Sequence, residues 1–354
     1  MLRRPLGVLR QACISAAIEA APRVYFGTRV SSDLVALRLT AQLPPHNVLI
    51  VGDGNFSYSK ALTNSFQRDG IPPSSIIATS LDSHDDIEYM YPSAAASLSF
   101  LRAAGVRVLH QVNATALANY KTAFNVHAGF DRIVFNFPHF ADGGNTRNKI
   151  SKHREFLKEF FMSCQSVLAP GGQIWLSLCE GQGGTPADTL QRNEGDTWQV
   201  VSCAAAGAML LLDVVPFPYA ELSSLGYNSV GYRLQDRAFR SEFGLIHIFG
   251  QESPIAGNRS RFAQTWSRHV SFWRGPRYSL EAVVAAFQGV FGPGVVIGLK
   301  QQDEYHCKKT NRTSFMFNVT FESRVHNFSR HRLTDLIQVV AQRLADEDVG
   351  QVRS

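Results

Sequence analysis

Cysteine is sparse in this chain and carries no pattern. Five occur in 354 residues (Cys13, Cys164, Cys179, Cys203 and Cys307), an odd number with no CxxC pair. That excludes a disulfide framework and a zinc site, and it points to reduced, mostly buried thiols. A run of about eighteen apolar residues, the minimum for a membrane-spanning helix, is also missing, so no membrane span is expected. Internal repeats and low-complexity tracts are absent as well. The remaining composition, 45% hydrophobic over 354 residues, suits globular packing in two domains, because one core seldom grows so large.

Acid is scarce at both ends. The net charge of +6 divides into five arginines against one glutamate over residues 1–30, 16 basic against 20 acidic residues over 31–255, and 14 against eight over 256–354. Arg3, Arg4, Arg10, Arg23 and Arg29 stand among Ala, Leu, Ile and Ser with no acid before Glu19, the composition of a mitochondrial presequence, so residues 1–30 are read as a leader to the mitochondrial matrix.

The sharpest signal is LIVGDGNFSYS, residues 49–59. Asn47 to Val51 read as a buried strand that stops at Gly52-Asp53-Gly54, and a helix-like stretch follows. Glycines there permit a tight turn and a close ligand approach, and the helix start offers unpaired N–H groups. A second strand, Ile76 to Leu81, ends at Asp82; a third, Val106 to Val112, ends at Asn113-Ala114-Thr115; a fourth, Asp131 to Phe135, ends at Asn136-Phe137-Pro138-His139. In an open α/β sheet the ligand crevice lies beyond the carboxyl ends of the strands, so the four polar tips are expected to converge.

The strings VGDGNFSYS, ATSLDS, HQVNAT and FDRIVFNFPH resemble the large-subunit rRNA uridine-N3 methyltransferases, a Rossmann-like class that uses S-adenosylmethionine; the resemblance runs from about Asn47 to Gly250. It implies that Gly52, Asp53 and Gly54 hold the methionine end of the cofactor, with Asn55, Phe56 and Ser57 continuing the same loop. By the same resemblance Asp82 holds the ribose hydroxyls and Asn113 with Ala114 the adenine, while Asn136, Phe137, Pro138 and His139 face the target base. Relatives commonly carry Asp where this chain has Asn113; an amide oxygen still accepts from an adenine amino group.

The rest of the domain follows the same pattern. Lys149 to Val167 has helical apolar spacing and stops at Ala169-Pro170-Gly171-Gly172; Gln173 to Cys179 is a fifth strand; Thr197 to Met209 reads as a helix. Leu210 to Pro216 and Gly244 to Gly250 are expected to pair antiparallel at the sheet edge, completing seven strands. Glu180 to Asp196 and Tyr219 to Glu242 read as mobile loops over the site.

Gln251 to Arg261 is the natural linker, giving an α/β domain over 45–250 and a second, α+β domain over 262–354. The second runs strand (RHVSFW, 268–273), helix (280–291), two strands (295–307 and 313–323) joined at Lys308-Lys309-Thr310-Asn311, then a helix from Ser329 to near Asp346. RHVSFW, TSFMFNVTFES and FSRHRLTDLIQVVAQRL together resemble the ferredoxin-fold anticodon-binding domain that ends phenylalanyl-tRNA synthetases, which implies an RNA-binding module. Lys308, Lys309 and Arg312, and separately Arg330, His331 and Arg332, are the expected phosphate contacts; Arg147, Lys149, Lys152, Arg154 and Lys158 follow the FNFPH string and make the crevice entrance basic. No synthetase catalytic domain lies between the modules, so aminoacylation is excluded.

The sequence thus reads as a mitochondrial, S-adenosylmethionine-dependent methyltransferase acting on rRNA or a ribosomal particle at uridine N3. A tRNA target follows from the second resemblance. A catalytically silent fold retained as a ribosome assembly factor or structural component is the alternative. No metal is expected. Asn136 is read as hydrogen-bonding the uracil, Phe137 as walling it, and His139 as the base or base-edge contact.

Overall fold

The computed structural model describes residues 47–140, 148–230, 241–252 and 257–353. The presequence reading over 1–30, Arg147 and the middle of the 251–261 linker lie outside the described residues. The described residues divide into two compact units, one carrying 47–263 together with Arg324–Ser329, the other Gln264–Ser323 with the residues from Arg330 onward.

In the first unit the apolar runs form a seven-stranded sheet: β1 (Val48–Val51), β2 (Ile76–Thr79), β3 (Arg107–Leu109), β4 (Phe130–Asn136), β5 (Leu168–Leu178), β6 (Met209–Pro216) and β7 (Leu245–Gln251), in the spatial order 3-2-1-4-5-7-6. The first five are parallel, and β7 lies antiparallel between β5 and β6. β1 is buried along its whole length, as a central parallel strand must be, since helices cover both faces. Helices α1 (Ser57–Arg68), α2 (His84–Met90) and α3 (Ala94–Ala103) pack on one face, where Val48, Ile50, Leu62, Ile87 and Leu98 share a core. The short α4 (Lys121–Phe124), α5 (Lys149–Cys164) and α6 (Val200–Ala204) pack on the other, where Leu49, Val51, Leu157, Phe160 and Phe161 meet. Complete burial of each such side chain contributes about 1.5–3 kcal/mol. α7 (Tyr219–Ser224) returns to the first face through Leu222.

Chain order reverses between β1 and β4, so the crevice of this sheet opens beyond the carboxyl ends of those two strands. Three expectations need correction. The third strand is only three residues long, because the chain leaves the sheet at His110 and Gln111 takes a left-handed φ of 58°. The helix expected over 197–209 shrinks to α6 and a single 3-10 turn, since Met209 already pairs with β7. Residues 180–196 are fastened: the Asp188 carboxylate accepts from Gly181 N, Thr185 N and Thr185 Oγ1 at 2.7–3.1 Å.

One buried group on this framework responds to pH. His247, on β7, is fully buried, and neither ring nitrogen has a hydrogen-bond partner among the described residues. Burial pushes its imidazole down to about 4, with the Asp188 carboxylate opposing. The unfolded chain takes up this proton near pH 6.5 and the folded one only near 4. Stability is therefore fully present above 6.5 and lost as pH falls towards 4, by about 3 kcal/mol. A melting-temperature series from pH 7.5 to 4 should show this loss for the parent and a shallower one for His247→Phe; identical slopes would assign the acid sensitivity elsewhere.

The second unit contains β8 (Gln264–Arg274), α8 (Leu280–Phe291), β9 (Val295–Cys307), β10 (Arg312–Ser323), α9 (Arg330–Asp346) and β11 (Gly350–Val352), with the antiparallel order 11-8-10-9. Ser279 caps α8 by accepting from Ala282 N at 3.1 Å. One face of the sheet is apolar, with Phe272, Phe315, Phe317 and Phe321, and α8 packs on it through Phe287 and Phe291. The closing strand β11 was not anticipated, because three residues after a helix present no alternation to read.

The linker boundary is also less simple than the sequence suggests. Asn327, between β10 and α9, is buried and donates from Nδ2 to Val201 O at 2.8 Å and to Met209 O at 2.9 Å. Residues 324–329 therefore complete the first unit, and removing 256–354 as a block would strip part of that unit's core.

Candidate active site

The turn after β1 holds Gly52 at φ +65°, and a Cβ built there would lie 2.9 Å from the Phe135 ring, so this position requires glycine both by backbone and by space. Gly54 differs: its Cβ would meet the Tyr91 phenol at 3.3 Å. Asp53 turns back towards α1, its Oδ2 accepting from Ser59 N at 2.7 Å and Ser59 Oγ at 2.6 Å. Burial raises this carboxyl above the ordinary range, with the Ser59 hydrogen bonds opposing. Asp53 therefore anchors the first helical turn as well as bordering the crevice.

Asn55, Phe56 and Ser57 were read as further cofactor contacts, but their side chains are committed inward. Asn55 Nδ2 and Ser57 Oγ both donate to Asn228 O, at 3.0 and 2.9 Å, and Phe56 is fully buried. The physical reason is the left-handed φ of 57° at Phe56, which turns the chain into α1 and drives these side chains under it.

Asp82 stands half-exposed beyond β2. Beside it lies a group the motif reading did not use. Ser80 Oγ donates to Asp82 O at 2.8 Å, and His110 Nδ1 lies 2.8 Å from the same Oγ. A hydroxyl has one proton, so His110 carries its own on Nδ1 and presents Nε2 as an acceptor. That Nε2 is buried and has no partner among the described residues; the same holds for Nδ1 of His84, whose ring centre is 5.2 Å away. Burial lowers the His110 imidazole below its ordinary range, with His84 adding to the effect.

Asn113 caps the 3-10 turn after β3: its Oδ1 accepts from both Thr115 N and Thr115 Oγ1 at 2.9 Å. The oxygen expected to receive an adenine amino group is thus already engaged. Ala114 is buried, and its carbonyl accepts from Ser163 Oγ at 2.9 Å.

Beyond β4 the side chains are arranged by β5. Asn136 Oδ1 accepts from Ser177 Oγ at 2.6 Å, which fixes the amide's orientation, and its Nδ2 is buried beside the Tyr58 phenol. Phe137 follows at a left-handed φ of 48°, its N donating to Ser177 O at 2.8 Å and its ring edge-on to Phe217 at 4.9 Å. A bulky residue there is strained, and such strain persists only where surroundings impose it. Pro138 is buried and His139 exposed. Next to this tip Tyr58 and Tyr227 are buried edge to face at 6.1 Å, and burial pushes both phenols up, so they stay neutral donors. Ser177, Tyr58, Tyr227 and His110 went unread in the sequence. The polar tip of the fifth strand signalled Ser177; nothing local marks Tyr227.

The basic residues behind the FNFPH string divide. Lys149 is exposed and Lys152 half-exposed, whereas Arg154 is committed to backbone carbonyls, Thr197 O at 2.6 Å, Glu194 O at 2.9 Å and Gly195 O at 3.0 Å. Arg154 therefore fastens the segment after β5 and is no RNA contact, a correction that only the fold makes visible. Arg154→Ala is expected to lower stability by about 1.5–3 kcal/mol for charged hydrogen bonds lost, read as a fall in melting temperature, with RNA affinity unchanged. A fall in affinity at unchanged stability would restore the original reading.

The second unit separates the two basic clusters. Lys308 and Lys309 occupy the β9–β10 turn, whereas Arg330, His331 and Arg332 open α9 past the far end of β10. The twelve residues of β10, roughly 40 Å of strand, run between them in the chain. They cannot act as one compact patch. No group of three or more His, Cys, Asp or Glu side chains suited to a metal occurs among the described residues.

The chain is 41% identical over 218 residues to the Mus musculus ferredoxin-fold anticodon-binding domain-containing protein 1 homolog, covering 61% of this chain and 33% of that protein. It is 39% identical over 220 residues to the Homo sapiens protein of that name, covering 62% and 33%. The chain thus matches about a third of the length of these curated relatives. Among solved structures, the glycopeptide N-methyltransferase MtfA complexed with S-adenosyl-L-methionine aligns over 62% of this chain and 92% of that one, at 15% identity and a TM-score of 0.35. The family model described as BMT5-like, rRNA (uridine-N3-)-methyltransferase, matches residues 49–230, the stretch that carries every strand tip around the crevice, and to that family the chain belongs.

Proposed function

We propose that this protein transfers a methyl group from S-adenosylmethionine to N3 of an unpaired uridine in rRNA, in the mitochondrial matrix. The observation that carries the reading is the Asn136 amide. Its oxygen is tied to Ser177, and its Nδ2, a donor of two hydrogens set beside the Tyr58 phenol, stands at the switch point of the sheet. Uracil has a carbonyl on each side of N3, and a carbonyl accepts from the Nδ2 hydrogen that the Tyr58 phenol does not take, whereas the exocyclic amine of cytosine would set donor against donor.

The residues present fit the cofactor. The Gly52–Gly54 turn would take its methionine end, half-exposed Asp82 would accept from ribose hydroxyls, and His110 Nε2 beside it is a second acceptor with no donor among the described residues. When bound, the cofactor supplies an activated methyl group. This chain's part is to align N3 and to help the N3 proton leave. Positioning contributes most, and exposed His139 stands where the proton departs towards water. N3 lies on the pairing edge, so the base must be unpaired or flipped out.

The location rests on the arginine-rich, acid-poor leader; the rRNA target rests on the family. A non-catalytic role in ribosome assembly draws on Asn113, whose side-chain oxygen, expected to receive the adenine amino group, is engaged as a cap. Calorimetry with S-adenosylmethionine, then transfer of a labelled methyl group to mitochondrial rRNA with mapping of N3-methyluridine, separates the two. Cofactor binding with no label in any RNA would leave the assembly role.

A further inference from the structure

We infer that His153, on α5, is the positioning residue of the loop after β4: its Nε2 holds the Phe140 amide and thereby sets where His139 stands. The inference rests on the reading of that loop as the substrate side of the site.

His153 is 4% exposed, and a buried imidazole has to find partners for both ring nitrogens. Nδ1 lies 2.7 Å from Lys149 O, one helical turn back; a carbonyl only accepts, so Nδ1 carries the proton. Nε2 keeps its lone pair, and Phe140 N donates to it at 3.3 Å. The tautomer is thus fixed from within the helix, and the acceptor it leaves goes to the loop. Trp198 stacks on the ring at 4.3 Å and 28°, which keeps the imidazole plane from turning. Trp198 is held in its turn, its N donating to Gln182 O at 2.7 Å, while Arg154 binds the carbonyl of Thr197 before it.

A buried histidine in a purely structural role serves its own helix and core. What separates His153 is where its second bond goes. The loop leaves β4 through Phe137, whose N donates to Ser177 O and whose φ is left-handed at 48°. Phe140 is its other tie. Between them stand Pro138, which has no N–H, and His139, whose ring centre is 5.4 Å from that of His153. α5 is pinned to the sheet by Phe160, packed on Phe135 at 5.0 Å, so through His153 the loop takes its place from the core. Without this tie the loop would hang from the strained turn at Phe137, and a misplacement of about 1 Å in a reacting group can cost about 10² in rate.

The test separates the acceptor from the ring. His153→Phe keeps a ring under Trp198 but cannot accept; His153→Gln loses the ring but sets an amide oxygen near the place of Nε2. In the full chain His153→Phe is expected to lower kcat for RNA methylation about tenfold to a hundredfold, with cofactor affinity by calorimetry unchanged. Hydrogen exchange of the Phe140 amide, read by NMR, should quicken about tenfold in the same variant. His153→Gln should restore most of both. A structural histidine predicts the opposite order, because a buried, stacked site favours Phe over Gln. His153→Asn, whose amide matches Nδ1 and falls short of Phe140, should follow His153→Phe and gives a polar comparison that does not depend on how the apolar ring folds. Parental kcat and exchange in His153→Phe, or a His153→Gln worse than His153→Phe in both, would overturn the assignment. The exchange measurement needs no substrate: a Phe140 amide released in His153→Phe and held in His153→Gln, in a protein that methylates no RNA, would uphold the tie and remove the methyltransferase reading alone.

Discussion

Asn136→Ala should lower methyl transfer to RNA by about 10² to 10³ while leaving the affinity for S-adenosylmethionine unchanged, since removing one preorganised donor typically costs that much. The side chain lies beyond β4 and is oriented by Ser177, whereas the proposed cofactor contacts come from the tips of the first three strands. Asn136→Asp is expected to be worse, because a carboxylate beside a uracil carbonyl sets acceptor against acceptor. Ser177→Ala tests the orientation directly: it frees the amide to flip and should reduce turnover without removing the donor. Single-turnover assays with labelled cofactor, alongside calorimetry, provide the two readouts. Equal losses of turnover and cofactor affinity in Asn136→Ala would place the residue on the cofactor side and remove the basis for uracil recognition.

Gly52→Val should abolish cofactor binding and destabilise the first unit together. A non-glycine residue at φ +65° carries strain of about 1–3 kcal/mol, and the added Cβ stands 2.9 Å from the Phe135 ring at the centre of the sheet. Gly54→Ala should be milder, because its backbone is ordinary and its Cβ meets only the edge of the Tyr91 phenol at 3.3 Å. The sequence offered both glycines as equivalent members of one loop; the contacts distinguish them. Calorimetry and thermal melts on the pair check the ranking, and a Gly52 variant that binds cofactor like the parent would show that the turn is not the cofactor loop.

Much of the site was legible because the code for a parallel sheet is local. Four apolar runs, each closed by a polar residue, mark strand tips whatever their neighbours, and the doubly wound rule puts such tips on one side. Thus Gly52, Asp82, Asn113 and Asn136 could be singled out before any contact was known. The roles of their atoms could not. Asn113 looks like an adenine acceptor until Thr115 is seen on its oxygen. Arg154 looks like a phosphate contact until three carbonyls are seen around it. Asn55 and Ser57 look like loop residues lining a ligand until Asn228, more than 170 positions away, is found against them.

By itself the sequence determined the kind of fold, the antiparallel pair at the sheet edge and the family, since hydrophobic period, glycine turns and short motifs are written within a few dozen residues. Only the tertiary structure decided which donors and acceptors are left over. Ser177 on Asn136, Ser80 on His110, and His153 between Phe140 and Trp198 are all made between separate segments. The physical reason is that a hydrogen bond or a stacked ring depends on angle and distance between segments, which register sets and sequence separation conceals.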